Sequence, residues 1–337
     1  MAEITASDKK PRELFLDTAK GFSIVLVVFW HAIAAAYTTI DLPRDSIYVA
    51  INNPLLQIRM PLFFFVSGLV FSHTLSEGWA TFFRKRLLTM IWLFTLWTFL
   101  YALRGREDPE WVLSSFYNPP IHLWFLWGLL IYRFTARAAV SMKLPAILIA
   151  AALSILSFAG WPQNLWGALS THQTAVAKDA VFYLFGIWFA MPWVRYLVAR
   201  PITIGTAALL LAIISGKLGF NAGLAVFGTI VGLSIAKIIT DHLEAVRALF
   251  TYLGRHSLEI FILHFGMMWP LMSLFRKVTT EGIEYWAVPL GTAIAVFVSV
   301  VIRNITDRFA PWLFVLPKFL AKGERPGLAD ERSLQGK

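Results

Sequence analysis

LFLDTAKGFSIVLVVFWHAIAAAY, residues Leu14 to Tyr37, is an apolar run long enough to cross a bilayer core of about 30 Å at 1.5 Å per helical residue. It nevertheless carries Asp17, Lys20 and His31. Eleven steps of about 100° bring Lys20 and His31 to within about 20° of one face, about 16 Å apart along the axis, and Asp17 lies one turn before Lys20 on the same stripe. An ionisable side chain at membrane depth costs on the order of 3 kcal/mol unless it faces protein or water. The stripe therefore implies a polar cavity lined by this helix.

Composition places the run in context. Of 337 residues, 58% are hydrophobic and 15% charged, with a mean hydropathy of +0.64, more apolar than a soluble protein sustains. Apolar stretches fall at about 14–37, 54–75, 87–103, 120–136, 144–160, 179–194, 201–216, 218–239, 257–275 and 285–305. The expectation is an all-α polytopic membrane protein of about ten spans. The first run follows Lys9, Lys10 and Arg12 as in a signal peptide, but its length and the lack of a small-residue cleavage site predict a retained span. The absence of cysteine excludes disulfides, thiolate metal sites and a cysteine nucleophile.

The net charge of +10 is explained by topology. With the N-terminus in the cytoplasm, outer segments receive only Arg44, Arg104, Arg106, Lys178, Lys217, Arg276 and Lys277 of the 30 basic residues. The excess on inner segments predicts cytoplasmic termini and removes any need for nucleic acid as a partner. Three regions are expected: a polar cytoplasmic head at 1–12, a transmembrane domain at 13–317 and a disordered cytoplasmic tail at 318–337.

Several further groups could carry chemistry. A neutral imidazole can take a proton from a hydroxyl near pH 7, which makes His31 a natural general base, although a hydrogen bond to a neighbouring helix would also explain it. Asp17 and Lys20 also admit a lesser reading as residues of the cytoplasmic edge, where lysine can snorkel. In Arg59-Met60-Pro61-Leu62-Phe63-Phe64-Phe65-Val66-Ser67-Gly68, Arg59 is expected to snorkel outward. Ser67-Gly68 reads as a packing notch or a site beside substrate. Arg84-Lys85-Arg86 is a topology signal that also suits a phosphorylated cytosolic donor such as coenzyme A. His122 and Trp124 open the fourth span, where Trp is ordinary at an interface. Gly254 to His264 reads as a glycine turn, a Ser257 N-cap and a span carrying Glu259, favoured by the helix dipole, and His264 about two turns inside.

Taken in order, these pieces resemble the membrane acyltransferase-3 family, bacterial O-acyltransferases of about ten spans. The matching segments are Leu16-Asp17-Thr18-Ala19-Lys20-Gly21 with Val27 and His31, the Met60–Gly68 stretch, Phe83-Arg84-Lys85-Arg86, His122-Leu123-Trp124-Phe125-Leu126, Tyr183-Leu184-Phe185-Gly186 and Ser257–His264. In that family an arginine and a histidine separated by ten residues in the first span form the signature, and the histidine is essential to acyl transfer. Here His31 matches while Lys20 replaces the arginine, similar to the fucose 4-O-acetylase-like branch. That branch often has histidine before Met-Pro, where this chain has Arg59.

The resemblance implies acyl transfer in a bacterial inner membrane. Acetyl-CoA or another acyl-CoA, a donor substrate and not a permanently bound cofactor, would dock against Arg84, Lys85 and Arg86. His31 would deprotonate a hydroxyl of a carbohydrate or glycolipid acceptor, or carry the acyl group transiently, with Lys20 or Ser67 steadying developing charge and Asp17 assisting. Arg59, Ser67, His122, Trp124, Glu259 and His264 would line the cavity, with no metal involved. The alternative is a transporter or flippase for a lipid-linked sugar or polar lipid, whose intramembrane charges would line a pathway.

Overall fold

The computed structural model describes residues 13–119, 121–142, 145–158, 171–188, 190–278, 282–317 and 320, without the side chains of 190 and 191. The expected head at 1–12, most of the expected tail and residues 161–170, between two of the expected spans, lie outside the described residues. The helices are α1 (Leu14–Thr39), α2 (Ile47–Phe71), α3 (Trp79–Gly105), α4 (Pro109–Ser114), α5 (Trp124–Met142), α6 (Ala146–Phe158) and α7 (Thr171–Trp188). They continue as α8 (Ala190–Ala199), α9 (Pro201–Lys217), α10 (Asn221–His242), α11 (Glu244–Arg255), α12 (Ser257–Val278) and α13 (Ile283–Phe309). No strand occurs among the described residues.

This is an all-α polytopic membrane protein. Seven helices are long and apolar enough to cross a membrane, or eight if a bent pair over Thr171–Trp188 and Pro192–Ala199 is one span. The other two expected spans, 144–160 and 201–216, coincide with α6 and α9, which have 13 and 17 residues. A 13-residue helix is about 20 Å long, shorter than the hydrocarbon core, so α6 does not reach across it upright.

Helix α1 occupies the centre and packs against α2, α10, α11, α12 and α13. Its small residues Ala19, Ala32, Ala35 and Ala36 are fully buried, because they let neighbouring helices approach closely where apolar lipid gives no net drive for association. A Cβ at Gly21 would strike the carbonyl of Phe250, and one at Gly254 the carbonyl of Asp17, so the α1–α11 crossing depends on backbone touching backbone. This corrects the glycine turn expected at Gly254. Residues 244–255 form an amphipathic helix with Arg247, Arg255 and Glu244 on it, and Gly254 is its contact point with α1. The short α4 is set by its own ends: the Asp108 side chain accepts the Trp111 N–H at 2.7 Å, and Pro109 takes the first turn, where its missing N–H costs nothing.

Candidate active site

Three imidazoles from three helices meet at the middle of the bundle. His31 comes from α1, His264 from α12, and His122 from the 3₁₀ turn Ile121–Leu123 that leads into α5. Ring centroids lie 4.9 Å apart for His31 and His264, 5.6 Å for His122 and His264, and 6.4 Å for His31 and His122. His264 and His122 are buried and His31 is half-buried. Phe265 stacks on His122 at 4.6 Å and meets the edge of His31 at 5.4 Å, closing the group on one side.

The hydrogen bonds assign the protons. A backbone carbonyl can only accept, so the His264 Nδ1, 2.8 Å from the Ile260 oxygen, carries its hydrogen. In neutral His264, Nε2 is then a bare acceptor. The His31 Nδ1 lies 2.9 Å from the Val27 oxygen and 3.1 Å from that His264 Nε2, so its N–H is shared between the two. The result is a directed chain, His31 Nδ1–H to His264 Nε2 and His264 Nδ1–H to Ile260, that leaves the lone pair on His31 Nε2 uncommitted. His122 donates from Nε2 to the Ile262 oxygen at 3.3 Å, and its buried Nδ1 has no hydrogen-bond partner. Both ring nitrogens of His264 are thus engaged in hydrogen bonds, and among the described residues no three histidine or acidic side chains are arranged to hold a metal ion.

Tyr101 of α3 supports this arrangement and is a residue that sequence reasoning missed. Its hydroxyl donates to the Ile262 carbonyl at 2.8 Å and accepts from the Gly266 N–H at 3.2 Å. It thus enters the hydrogen-bond ladder of α12 on either side of His264, and its ring lies 5.1 Å from that of His122. The available signal was a tyrosine in an apolar run, which is too common to single out.

The remaining expected site residues divide. Arg59 does not snorkel outward: it is 6% exposed, donates to Asn52 Oδ1 at 2.9 Å and lies 5.2 Å over the Trp30 ring. Those two contacts hold the guanidinium inside the protein, where an outward reach would have to leave both. Asp17 is buried and paired with Arg255 of α11 at 3.4 Å, while its neighbour Thr18 lies 3.2 Å from the Thr251 hydroxyl. Lys20 is half-buried on the same end of α1.

Glu259 pairs with Arg303 of α13 at 3.5 Å and approaches His256 at 3.9 Å, so it joins an ion-pair group one and a half turns below His264. Burial holds the His256 imidazole below its ordinary pKa, with Glu259 opposing that effect. Ser67-Gly68 is a packing notch filled by α7, since a Cβ on Gly68 would collide with the Tyr183 carbonyl. Trp124 stacks parallel to His172 at 6.2 Å.

Arg84, Lys85 and Arg86 lie within a π-helical turn, Phe83–Leu87, a local widening that often marks a functional position. Arg86 makes a bidentate pair with Glu77 at 2.5 and 3.2 Å, and Arg133 of α5 donates to the Arg86 carbonyl. The hydrogen bond from Arg86, and then its charge, keep the Glu77 carboxyl below the usual range. Fifteen residues separate Arg86 from Tyr101, so the basic turn lies about 22 Å along α3 from the imidazoles. Near His122, a cleft of about 390 Å³ is lined by Glu107, Trp111, Ser114, Asn118, Ile121 and His172.

Comparison with known proteins identifies the family. Inner membrane protein YcfT of Escherichia coli strain K12 is 26% identical over 210 residues, which cover 53% of this chain and 57% of that protein. The match therefore spans little more than half the length of that relative. No solved structure matches. A family model for an acyltransferase domain matches residues 13–304, nearly the whole described membrane bundle, and the chain belongs to the acyltransferase-3 family.

Proposed function

We propose that this protein is a membrane-embedded O-acyltransferase that moves an acetyl or other acyl group from cytoplasmic acyl-CoA to a hydroxyl of a carbohydrate or glycolipid acceptor. The observation that carries the reading is the His31–His264–Ile260 hydrogen-bonded chain. A base must have a free lone pair and a stabilised conjugate acid. His31 Nε2 is the free lone pair. When it takes the hydroxyl proton, the resulting imidazolium still donates Nδ1–H to His264, whose own proton is anchored on a carbonyl.

The hydroxyl oxygen then attacks the thioester carbonyl, and the proton held on His31 passes to the departing thiolate, giving ester and free coenzyme A. The basic turn at Arg84–Arg86 suits the donor phosphates, and the long pantetheine arm would carry the thioester over the remaining distance. The cleft beside His122 suits the acceptor, with polar groups and the aromatic faces of Trp111 and His172. The inner-side excess of basic residues favours cytoplasmic termini, and the likeness to YcfT, an inner membrane protein, supports the bacterial inner membrane.

Inverted membrane vesicles containing the protein, given acetyl-CoA, should release free thiol, and mass spectrometry of cell-surface glycans should reveal acyl groups that disappear when the gene is deleted. Vesicles that release no thiol while the deletion strain loses transport of a lipid-linked sugar would replace this reading with the flippase.

A further inference from the structure

Acyl transfer builds negative charge on the thioester oxygen as the tetrahedral intermediate forms, and a fixed cation near that atom is usually worth more than any other single group. Neither residue expected from the sequence to supply it is in position. Lys20 is eleven residues from His31 on the unbroken helix α1, about 16 Å along its axis. Ser67 is eight residues beyond Arg59 on α2, about 12 Å nearer the other end. Arg59 is different: it lies twelve residues into the 28-residue apolar segment Ile47–Thr74, at mid-membrane depth, against Trp30, the chain neighbour of His31.

The guanidinium is also incompletely used. It has five N–H donors, of which one goes to Asn52, and no carboxylate of the described residues lies within ion-pair distance. A permanent cation held at this depth without an anion is costly unless something else exploits it, and intramembrane charges are for that reason functional by default. His122 and His264 are less suited to replace it, since each already gives a ring N–H to a backbone carbonyl.

We propose that Arg59 is the catalytic cation of this site, donating to the thioester oxygen as it becomes an oxyanion. The proposal rests on the acyl-transfer reading. In the step concerned, the acceptor oxygen forms a bond to the carbonyl carbon, the C=O π pair moves to the oxygen facing Arg59, and the acceptor proton goes to His31 Nε2. Collapse then restores C=O, breaks C–S and returns the proton to the sulfur. Asn52 fixes one arm of the guanidinium and Trp30 its plane, so the fork is aimed before substrate arrives.

The test is free-thiol release from acetyl-CoA by inverted membrane vesicles carrying wild type, Arg59→Lys, Arg59→Gln or Arg59→Ala, with Arg276→Gln as a control on an exposed cation. Arg59→Gln should lower kcat by about 10²–10³-fold, as loss of an oxyanion donor does, with the KM for acetyl-CoA within a few-fold of wild type. Arg59→Lys should keep more of the kcat than Gln, and added methylguanidinium should restore part of the Arg59→Ala rate. A structural role would not respond to methylguanidinium at unchanged protein level. A raised KM with kcat retained, or kcat retained in Arg59→Gln, would overturn the proposal. If the glutamine and alanine variants fail to insert, Arg59→Lys at wild-type abundance decides: kcat lowered with the KM for acetyl-CoA within a few-fold of wild type supports the proposal, because the aimed fork is lost, and KM raised with kcat unchanged overturns it. Failure of the acyl-transfer reading is separate, because wild-type vesicles would then release no thiol.

Discussion

The two ends of α1 carry polar residues for opposite reasons. At Asp17 the charge is matched by Arg255, the neighbouring threonines bond each other across helices, and a glycine on α11 lets backbones touch. At His31, four turns on, every polar partner is a neutral ring or a carbonyl, and one lone pair is left over. A paired charge near the interface holds helices together. An uncommitted lone pair at mid-membrane depth is poised for proton transfer. One stripe of a helix can therefore carry an ion pair at one end and an uncommitted imidazole lone pair at the other, and spacing alone does not distinguish the ends.

That contrast can be broken most directly at His31. His31→Ala should lower acetyl-CoA turnover in vesicles by about 10²–10⁴-fold at normal abundance, the usual worth of a general base. A folded variant with near wild-type turnover would remove the chemical role from this end of α1. His264→Ala should act less strongly, on the order of tenfold to a hundredfold, because it removes one hydrogen bond of about 1.5–3 kcal/mol to the imidazolium while leaving the base in place.

The inner-face groups sharpen the comparison with smaller effects. Replacing Arg84 and Arg86 together with Gln should raise the KM for acetyl-CoA by roughly tenfold or more with kcat little changed, since charge-assisted contacts to phosphate act on binding. Unaltered donor dependence would reduce the basic turn to a topology signal. Arg255→Gln should leave turnover intact and lower stability by about 1–3 kcal/mol, because the buried Asp17 carboxylate loses a charged partner although Arg255 itself is 47% exposed.

The smallest effect concerns pH. Since Arg86 depresses the Glu77 carboxyl, the ordering given by that pair is complete above the ordinary carboxylate pKa and is lost as pH falls through the lower folded value. Hydrogen exchange at Phe83–Leu87 should show protection at neutral pH that fades on strong acidification, and no such acid step in Glu77→Gln.

Much of the fold was legible because membrane burial writes itself into sequence. Each of the ten apolar stretches coincides mainly with helix over its described residues, since the backbone in lipid must satisfy its hydrogen bonds internally. The amphipathic α11 was not seen, because its Arg247, Arg255 and Gly254 read as an inner loop with a turn. Among site residues, His31 stood out by its depth and His264 by its position inside a span. His122 looked incidental at a helix start, and only the approach of α12 gives it neighbours.

The sequence by itself determined the membrane class, the helical architecture, the family and the candidate base, because hydropathy, charge bias and ordered motifs are properties of the chain. The tertiary structure decided which polar groups share a site. Arg59 turned inward because Trp30 and Asn52 were there to receive it, and Glu259 was drawn to Arg303. Such pairings depend on crossings between helices distant in sequence, where a side chain takes the partner that best offsets its desolvation, and no periodicity within one helix records which partner that is.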